Sequence, residues 1–198
     1  MFNVQSFSLY RKDIGYCQGM QAVTALLLMF MTEEEAFWVL ASLADDTKYQ
    51  MDNLWRPSMP AIQLRFYQME RLVKINLPKL SAHFEKNDII SASMYQASQW
   101  FITIFLATEM KFGVITRVWD IYLNEGLKTI FRMGLGFLKY FEKPLLKSNM
   151  EEMLDMFRSG ASTIDPEEYI KVCFATRITH AQLAAFEKDF NRQQQQGK

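Results

Sequence analysis

Apolar residues recur along this chain at three- and four-residue steps, not in alternation. Ile62, Phe66, Met69, Val73 and Leu77 are spaced by four, three, four and four, which places them on one face of a 3.6-residue helix. Leu127, Phe131, Leu135 and Leu138 form a second stripe, and Met150, Met153, Leu154 and Phe157 a third. No period-two run is flanked by the turn residues that close a hairpin. The pattern predicts an all-α fold.

Polar punctuation agrees with the stripes. Thr32-Glu33-Glu34-Glu35 reads as a capping box opening a helix to about residue 43. Ser148-Asn149-Met150-Glu151 and Asp165-Pro166-Glu167-Glu168 repeat the device, the second with proline at the first helical position, and Thr179-His180-Ala181-Gln182 is a weaker case. The expected helices are 2–10, 15–31, 33–43, 60–76, 79–86, 92–109, 112–124, 127–147, 149–159, 166–177 and 180–193. Residues 44–59 form the one long connection, a kind of segment often used for function. Pro78 and Pro144 mark helix boundaries or kinks, and the polar tail 193–198 is expected to fray. The longest apolar runs, 22–31 and 100–107, fall short of the roughly 20 residues that span a bilayer, so they read as buried helices without membrane insertion.

Composition narrows the function classes. Lys plus Arg and Asp plus Glu both count 22, so the formal net charge is zero, against a general affinity for nucleic acid or anionic membrane. The 198 residues suffice to bury a sizeable core, and 16 Phe with 13 Met suit helix packing. Two cysteines, Cys17 and Cys173, and two histidines, His83 and His180, suggest neither a disulfide framework nor a metal site. No secretory signal is read in residues 1–13, and a reducing, cytoplasmic compartment is expected.

No catalytic constellation stands alone: nucleophile elbow, zinc-protease helix and phosphate-binding glycine loops are all missing from the sequence. Cys17 lies beside a helix N-terminus, where thiolate formation is favoured, yet neither histidine lies near it in sequence, and a small packing residue is the better reading. His83 reads as a satisfied helix residue, and Glu33, Glu34 and Glu35 as a first turn complementing the helix dipole. The informative stretch is Tyr16-Cys17-Gln18-Gly19. There one amide side chain sits at the expected first turn of a buried helix, and glutamine is the residue Ras-like GTPases use to orient the attacking water. A glutamine satisfied by backbone partners is the plain alternative.

Ser8-Leu9-Tyr10-x-x-Asp13-Ile14-Gly15-Tyr16-Cys17-Gln18-Gly19-Met20 resembles the TBC domain, the GTPase-activating domain acting on Rab proteins. So do Tyr95-Gln96-Ala97-Ser98-Gln99-Trp100-Phe101-Ile102-Thr103-Ile104-Phe105 and Arg117-Val118-Trp119-Asp120-Ile121-Tyr122-Leu123-Asn124-Glu125-Gly126. Leu77-Pro78-Lys79-Leu80 is similar to the linker between that family's two helical lobes, and the match covers about residues 2–145. The resemblance implies a two-lobed helical domain: 1–77 as the remainder of the N-terminal lobe, 78–190 as the C-terminal lobe, and 191–198 as a tail. It implies a Rab-type GTPase in its GTP state as partner, with GTP and magnesium held by that partner and no cofactor of the domain's own. Recruitment to endomembranes would come through partners.

By the same resemblance Gln18 is the glutamine finger, with Tyr16, Asp13, Gly15 and Gly19 shaping the site. Trp100, Arg117, Trp119, Asp120 and Gly126 carry structural roles, Arg117 and Asp120 being three apart and able to pair. The family's second finger, an arginine in Ile-x-x-Asp-x-x-Arg upstream of the glutamine motif, has no counterpart in these residues. Asp155-Met156-Phe157-Arg158 has Glu152 in place of the isoleucine and lies downstream, and Arg11 reads as an ordinary loop charge. The expectation is therefore an N-terminally incomplete domain with impaired activation. The alternatives are a non-catalytic Rab-binding module in trafficking, and a helical scaffold whose grooves hold peptide helices.

Overall fold

The computed structural model describes residues 2–87 and 90–196, with the side chains of 2–3 and of 90–96, including Tyr95 of the second motif, outside the described part. Among the described residues it is helical with no strand. In chain order the helices are α1 (Phe2–Tyr10), α2 (Met20–Leu28), α3 (Glu33–Asp45), α4 (Asp52–Trp55), α5 (Ile62–Asn76), α6 (Pro78–Lys86) and α7 (Ile90–Thr103). These are followed by α8 (Phe112–Glu125), α9 (Lys128–Tyr140), α10 (Glu142–Leu145), α11 (Met150–Arg158), a 3-10 turn (Gly160–Thr163), α12 (Pro166–Ala175) and α13 (His180–Gln196).

The caps work as the sequence predicts, with one shift. Thr32 accepts from the Glu35 amide while the Glu35 carboxylate takes the Thr32 amide. This bond to the Thr32 amide, with a second from its hydroxyl, holds the Glu35 carboxyl below the usual carboxylate range. Asp165 accepts from Glu168 N at 2.9 Å, and Thr179 from Gln182 N at 3.1 Å. At α11 the cap is Asn149 with Glu152, not Ser148 with Glu151. The hydroxyl of Ser148 instead donates back to the Leu145 carbonyl at 2.9 Å, leaving Asn149 to open the helix.

Three expected helices are shorter or broken. The 127–147 helix stops at Tyr140 and resumes at Glu142, because the Pro144 ring excludes a continuous ladder to residue 140. The 92–109 helix ends at Thr103, where Ile104 and Phe105 take φ of 50° and 66°. The 15–31 helix begins only at Met20. The tail, by contrast, is helical to Gln196, and Gln193 donates to the Tyr67 hydroxyl at 3.3 Å.

One buried apolar cluster runs through the molecule from Phe7 to Phe186. Its centre is Trp100, stacked on Phe105 and Phe157 with ring centroids 5.3 and 5.4 Å apart. Helix α5 packs on α6, α7, α9 and α13, while α9 carries α12 and α8 on its flanks. The stripe residues Met69, Val73, Leu77, Phe131, Leu135, Leu138, Met153 and Phe157 are all buried. Helices α1, α2 and α3 pack on one another, and α2 also meets α7, so the first motif rests on the second.

Candidate functional site

Between α1 and α2 the chain makes a compact turn through residues 11–19. The Ile14 and Gly15 amides both donate to the Arg11 carbonyl, at 3.0 and 2.8 Å, and Ile14 is buried beneath them. Gly15 has φ of 66°. The Gln21 side chain then gathers the rest of the turn, its Oε1 accepting from the Tyr16 hydroxyl at 2.8 Å and from the Gly19 amide at 3.1 Å. Gln21 was not picked out by sequence reasoning. Only its place in the first turn of α2, two residues past the glycine, could have signalled it.

Gln18 is exposed and lies two residues before α2, not on its first turn, because Gly19 at φ 109° interrupts the helix there. A Cβ at Gly19 would lie 2.7 Å from Thr103 Cγ2 and 3.3 Å from Ile102 Cγ2, so the turn sits directly on the C-terminal end of α7. Among the described residues the Gln18 amide makes no side-chain hydrogen bond. The plain alternative, an amide satisfied inside the fold, is thus not what the structure shows. Tyr16 is 59% exposed beside it and walls a groove of about 470 Å³ between α1 and α2, shared with Val4, Gln21 and Leu28.

The floor under this turn is held by indoles. Trp55 Nε1 donates to the Ile102 carbonyl at 3.0 Å, and Trp119 Nε1 to the Ile104 carbonyl at 3.2 Å. Ile104 and Phe105 occupy the left-handed region that β-branched and bulky residues avoid, and both are fully buried. Such strain persists where surrounding contacts over-determine it, and the two tryptophans with Trp100 against Phe105 supply those contacts. Trp100 and Trp119 thus contact the strained pair that follows α7, next to the surface on which Gly19 rests.

Arg11 is no ordinary loop charge. Its guanidinium meets Asp13 at 2.9 Å, Asp52 at 2.8 Å, and Asp45, while Arg56 reaches Asp13 at 2.6 Å and Asp52 at 2.9 Å. This network ties the turn to the end of α3 and to α4, inside the connection 44–59. It holds the Asp13 carboxyl far below the usual carboxylate range, chiefly through the hydrogen bonds from Arg11. Asp13 thus anchors the turn through Arg11 and Arg56.

Arg117 and Asp120 do not pair. Arg117 reaches Glu167 on α12 at 2.6 Å, a contact that the local i, i+3 rule could not anticipate, and Asp120 is exposed on the rim of a groove with Phe30 and Trp119. Gly126, at φ 71° and ψ −150°, ends α8 against the Lys48 carbonyl, which accepts from Leu127 N at 3.0 Å. Burial pushes the Cys17 thiol up, as expected of a packing residue without a nearby base. His83 is satisfied by the Ser148 carbonyl at 3.0 Å.

The fold is all-α among the described residues, and the comparisons place it in a family. A family profile described as the Rab-GTPase-TBC domain matches residues 4–146, and the chain belongs to that family. It is 37% identical over 194 residues to the human ecotropic viral integration site 5 protein homolog, covering 96% of this chain and 23% of that protein. Identity to the Rab GTPase-activating protein eat-17 of Caenorhabditis elegans is 35%, covering 96% of this chain and 21% of that one. The chain thus spans less than a quarter of these relatives' length. The crystal structure of the Chlamydomonas flagellar RabGAP TBC domain superposes with a TM-score of 0.73 at 28% identity, covering 87% of this chain and 57% of that one. The Ypt/Rab-GAP domain of Gyp1p gives 0.72 at 14% identity over 96% of this chain and 66% of that one, a likeness of fold. Among the described residues no helix is long and apolar enough to cross a membrane.

Proposed function

We propose that this chain acts on a Rab-type small GTPase in its GTP-bound state, stimulating GTP hydrolysis with Gln18 as the residue that positions the attacking water. The observation that carries the reading is an exposed amide with no side-chain hydrogen bond among the described residues, on a turn held through Arg11, Asp13, Tyr16 and Gly19. A carboxamide both donates and accepts, so it can bind a water and steer it in line. Holding that amide on a rigid support lowers the entropy of reaching the reactive geometry. GTP and magnesium belong to the partner, and recruitment to endomembranes follows the GTPase.

The activity of these 198 residues alone is expected to be weak. An arginine that neutralises charge on the transferred phosphoryl is worth about 10³–10⁵ in rate in related systems. The arginines nearest the glutamine turn, Arg11 and Arg56, are both committed to aspartates. That commitment also supports the second reading, a module that binds the GTPase without catalysis.

Single-turnover GTP hydrolysis by a panel of Rab proteins separates these readings, using this chain, its Gln18→Ala variant, and a longer form carrying an upstream Ile-x-x-Asp-x-x-Arg segment. The expected result is strong stimulation by the longer form and weak stimulation by this chain, lowered further by Gln18→Ala. Equal stimulation by Gln18→Ala removes the finger assignment. Equal stimulation by the short and long forms removes the arginine argument. Binding without stimulation by the longer form establishes the non-catalytic reading.

A further inference from the structure

A second polar site lies away from the glutamine turn, where the connection after α3 meets α5, the start of α9 and α13. A cavity of about 240 Å³ is lined there by Lys48, Arg65, Gln68, Lys128, His180 and Glu187, among others. Arg65 is only 4% exposed. Its Nη1 donates to Gln68 at 3.0 Å and its Nη2 to Gln50 at 2.8 Å, both neutral amides, and its Nε has no partner. A guanidinium carries five N–H donors, so three are unengaged among the described residues. Among the described residues no carboxylate comes within ion-pair distance of it; Glu187, exposed at the rim, is the acidic group that acts on it electrostatically. Burial lowers the Arg65 pKa, yet an arginine stays charged in proteins.

A buried cation without a counter-ion is costly, and the surroundings make it more so. Lys48 spends its ammonium on a neutral group, the Leu123 carbonyl at 2.8 Å. Lys128 and Arg132 share one carboxylate, Glu125, each at 2.8 Å. The cavity lining itself carries three cations (Lys48, Arg65, Lys128) and one carboxylate (Glu187), an excess of two positive charges, with the Glu125–Arg132 pair behind Lys128 adding no net charge. The N-terminus of α9, a helix of 13 residues with no side-chain cap, opens onto the cavity at Leu127 and Lys128 and adds its positive dipole end.

We propose that this cavity is a binding site for a phosphoryl group, taking a phosphomonoester dianion on Arg65. A tetrahedral oxyanion matches the guanidinium fork, and two negative charges match the local excess. The volume lies just under the roughly 300 Å³ at which drug-sized ligand pockets begin, so it holds one phosphoryl group and few further atoms. Gln50 and Gln68 orient the guanidinium. Gln68 is itself fixed by donating to the Leu183 carbonyl of α13 at 3.0 Å, which couples the site to the seating of that helix. The site is independent of the GTPase reading.

The test is titration of the whole chain with inorganic phosphate against chloride at matched ionic strength, read by ³¹P line broadening and by melting temperature. Saturable broadening with a rise in melting temperature is expected, since a ligand that binds only the folded state stabilises it. Arg65→Gln should weaken binding at least tenfold, and Lys128→Gln several-fold. Lys79→Gln, a remote surface change, should leave it unaltered. Should Arg65→Gln fail to fold, Glu187→Gln carries the test: removing the rim carboxylate should tighten phosphate binding several-fold. No saturable broadening at tens of millimolar phosphate, or an unchanged affinity in Glu187→Gln, overturns the proposal. Sedimentation with phosphatidylcholine vesicles, with and without phosphatidic acid, identifies the source. Phosphate-competed vesicle binding assigns a lipid headgroup, and retained phosphate binding without vesicle binding assigns a free phosphomonoester. No GTPase is present in these measurements, so their failure and that of the activation assay are distinct.

Discussion

Gly19 concentrates two constraints in one residue. Its φ of 109° is outside the range L side chains favour, and its missing Cβ leaves room for Thr103 Cγ2. Gly19→Ala should therefore destabilise the chain by about 1–3 kcal/mol, a cost typical of a forced backbone conformation, and displace Gln18 from its support. Thermal melting and single-turnover stimulation should both fall; a variant with unchanged melting temperature would show that the turn relaxes freely. The sequence showed Gly19 as half of a motif, and Gln18 as a helix residue. It could not show that the glycine breaks the helix and leaves the amide free, because that follows from the packing of Thr103, 84 positions later in the chain, against the turn.

Among elements, the joint between α1, α3 and α4 rests on charge. Arg11 meets Asp45 and Asp52 across 34 and 41 residues of chain, separations at which no local pairing rule operates. That is why Arg11 reads as a solvated loop residue in the sequence. The joint is pH-sensitive with a definite sign. The Asp13 carboxyl lies far below its ordinary value in the folded chain, while the unfolded value is about 3.9. Its contribution is thus complete above about pH 5 and is lost as pH falls toward the folded value. Arg11→Gln releases much of that shift, so the variant should melt lower than the parent at pH 7 and lose less of its melting temperature between pH 5 and 3. Parallel pH profiles for the two proteins would rule out the network as the source of acid sensitivity. Local rules succeeded elsewhere at this scale: Thr32, Asp165 and Thr179 cap the helices they precede, since a cap needs only residues three apart.

Across the whole molecule, Trp100 is the shared contact of α7 with α9 and α11, packed on Phe105, Phe137 and Phe157. Removing a buried aromatic of this size costs about 3–5 kcal/mol. For a domain of this length each kcal/mol is worth about 2–4 °C, so Trp100→Ala should lower the melting temperature by of order 10 °C. A shift of a degree or two would mean that the aromatic stack is not the organising centre. What the sequence alone determined is the set of features encoded within a few residues: helical periodicity, most caps, the proline break, and the three motifs that place the chain in its family. Tertiary structure decided where the glutamine sits, which aspartates hold Arg11, that Arg117 pairs with Glu167 in place of Asp120, and that Arg65 is buried with no counter-ion among the described residues. The physical reason is range. Periodicity and capping are one-turn interactions, whereas burial of a charge and freedom of an amide depend on which distant side chains the packed core brings alongside.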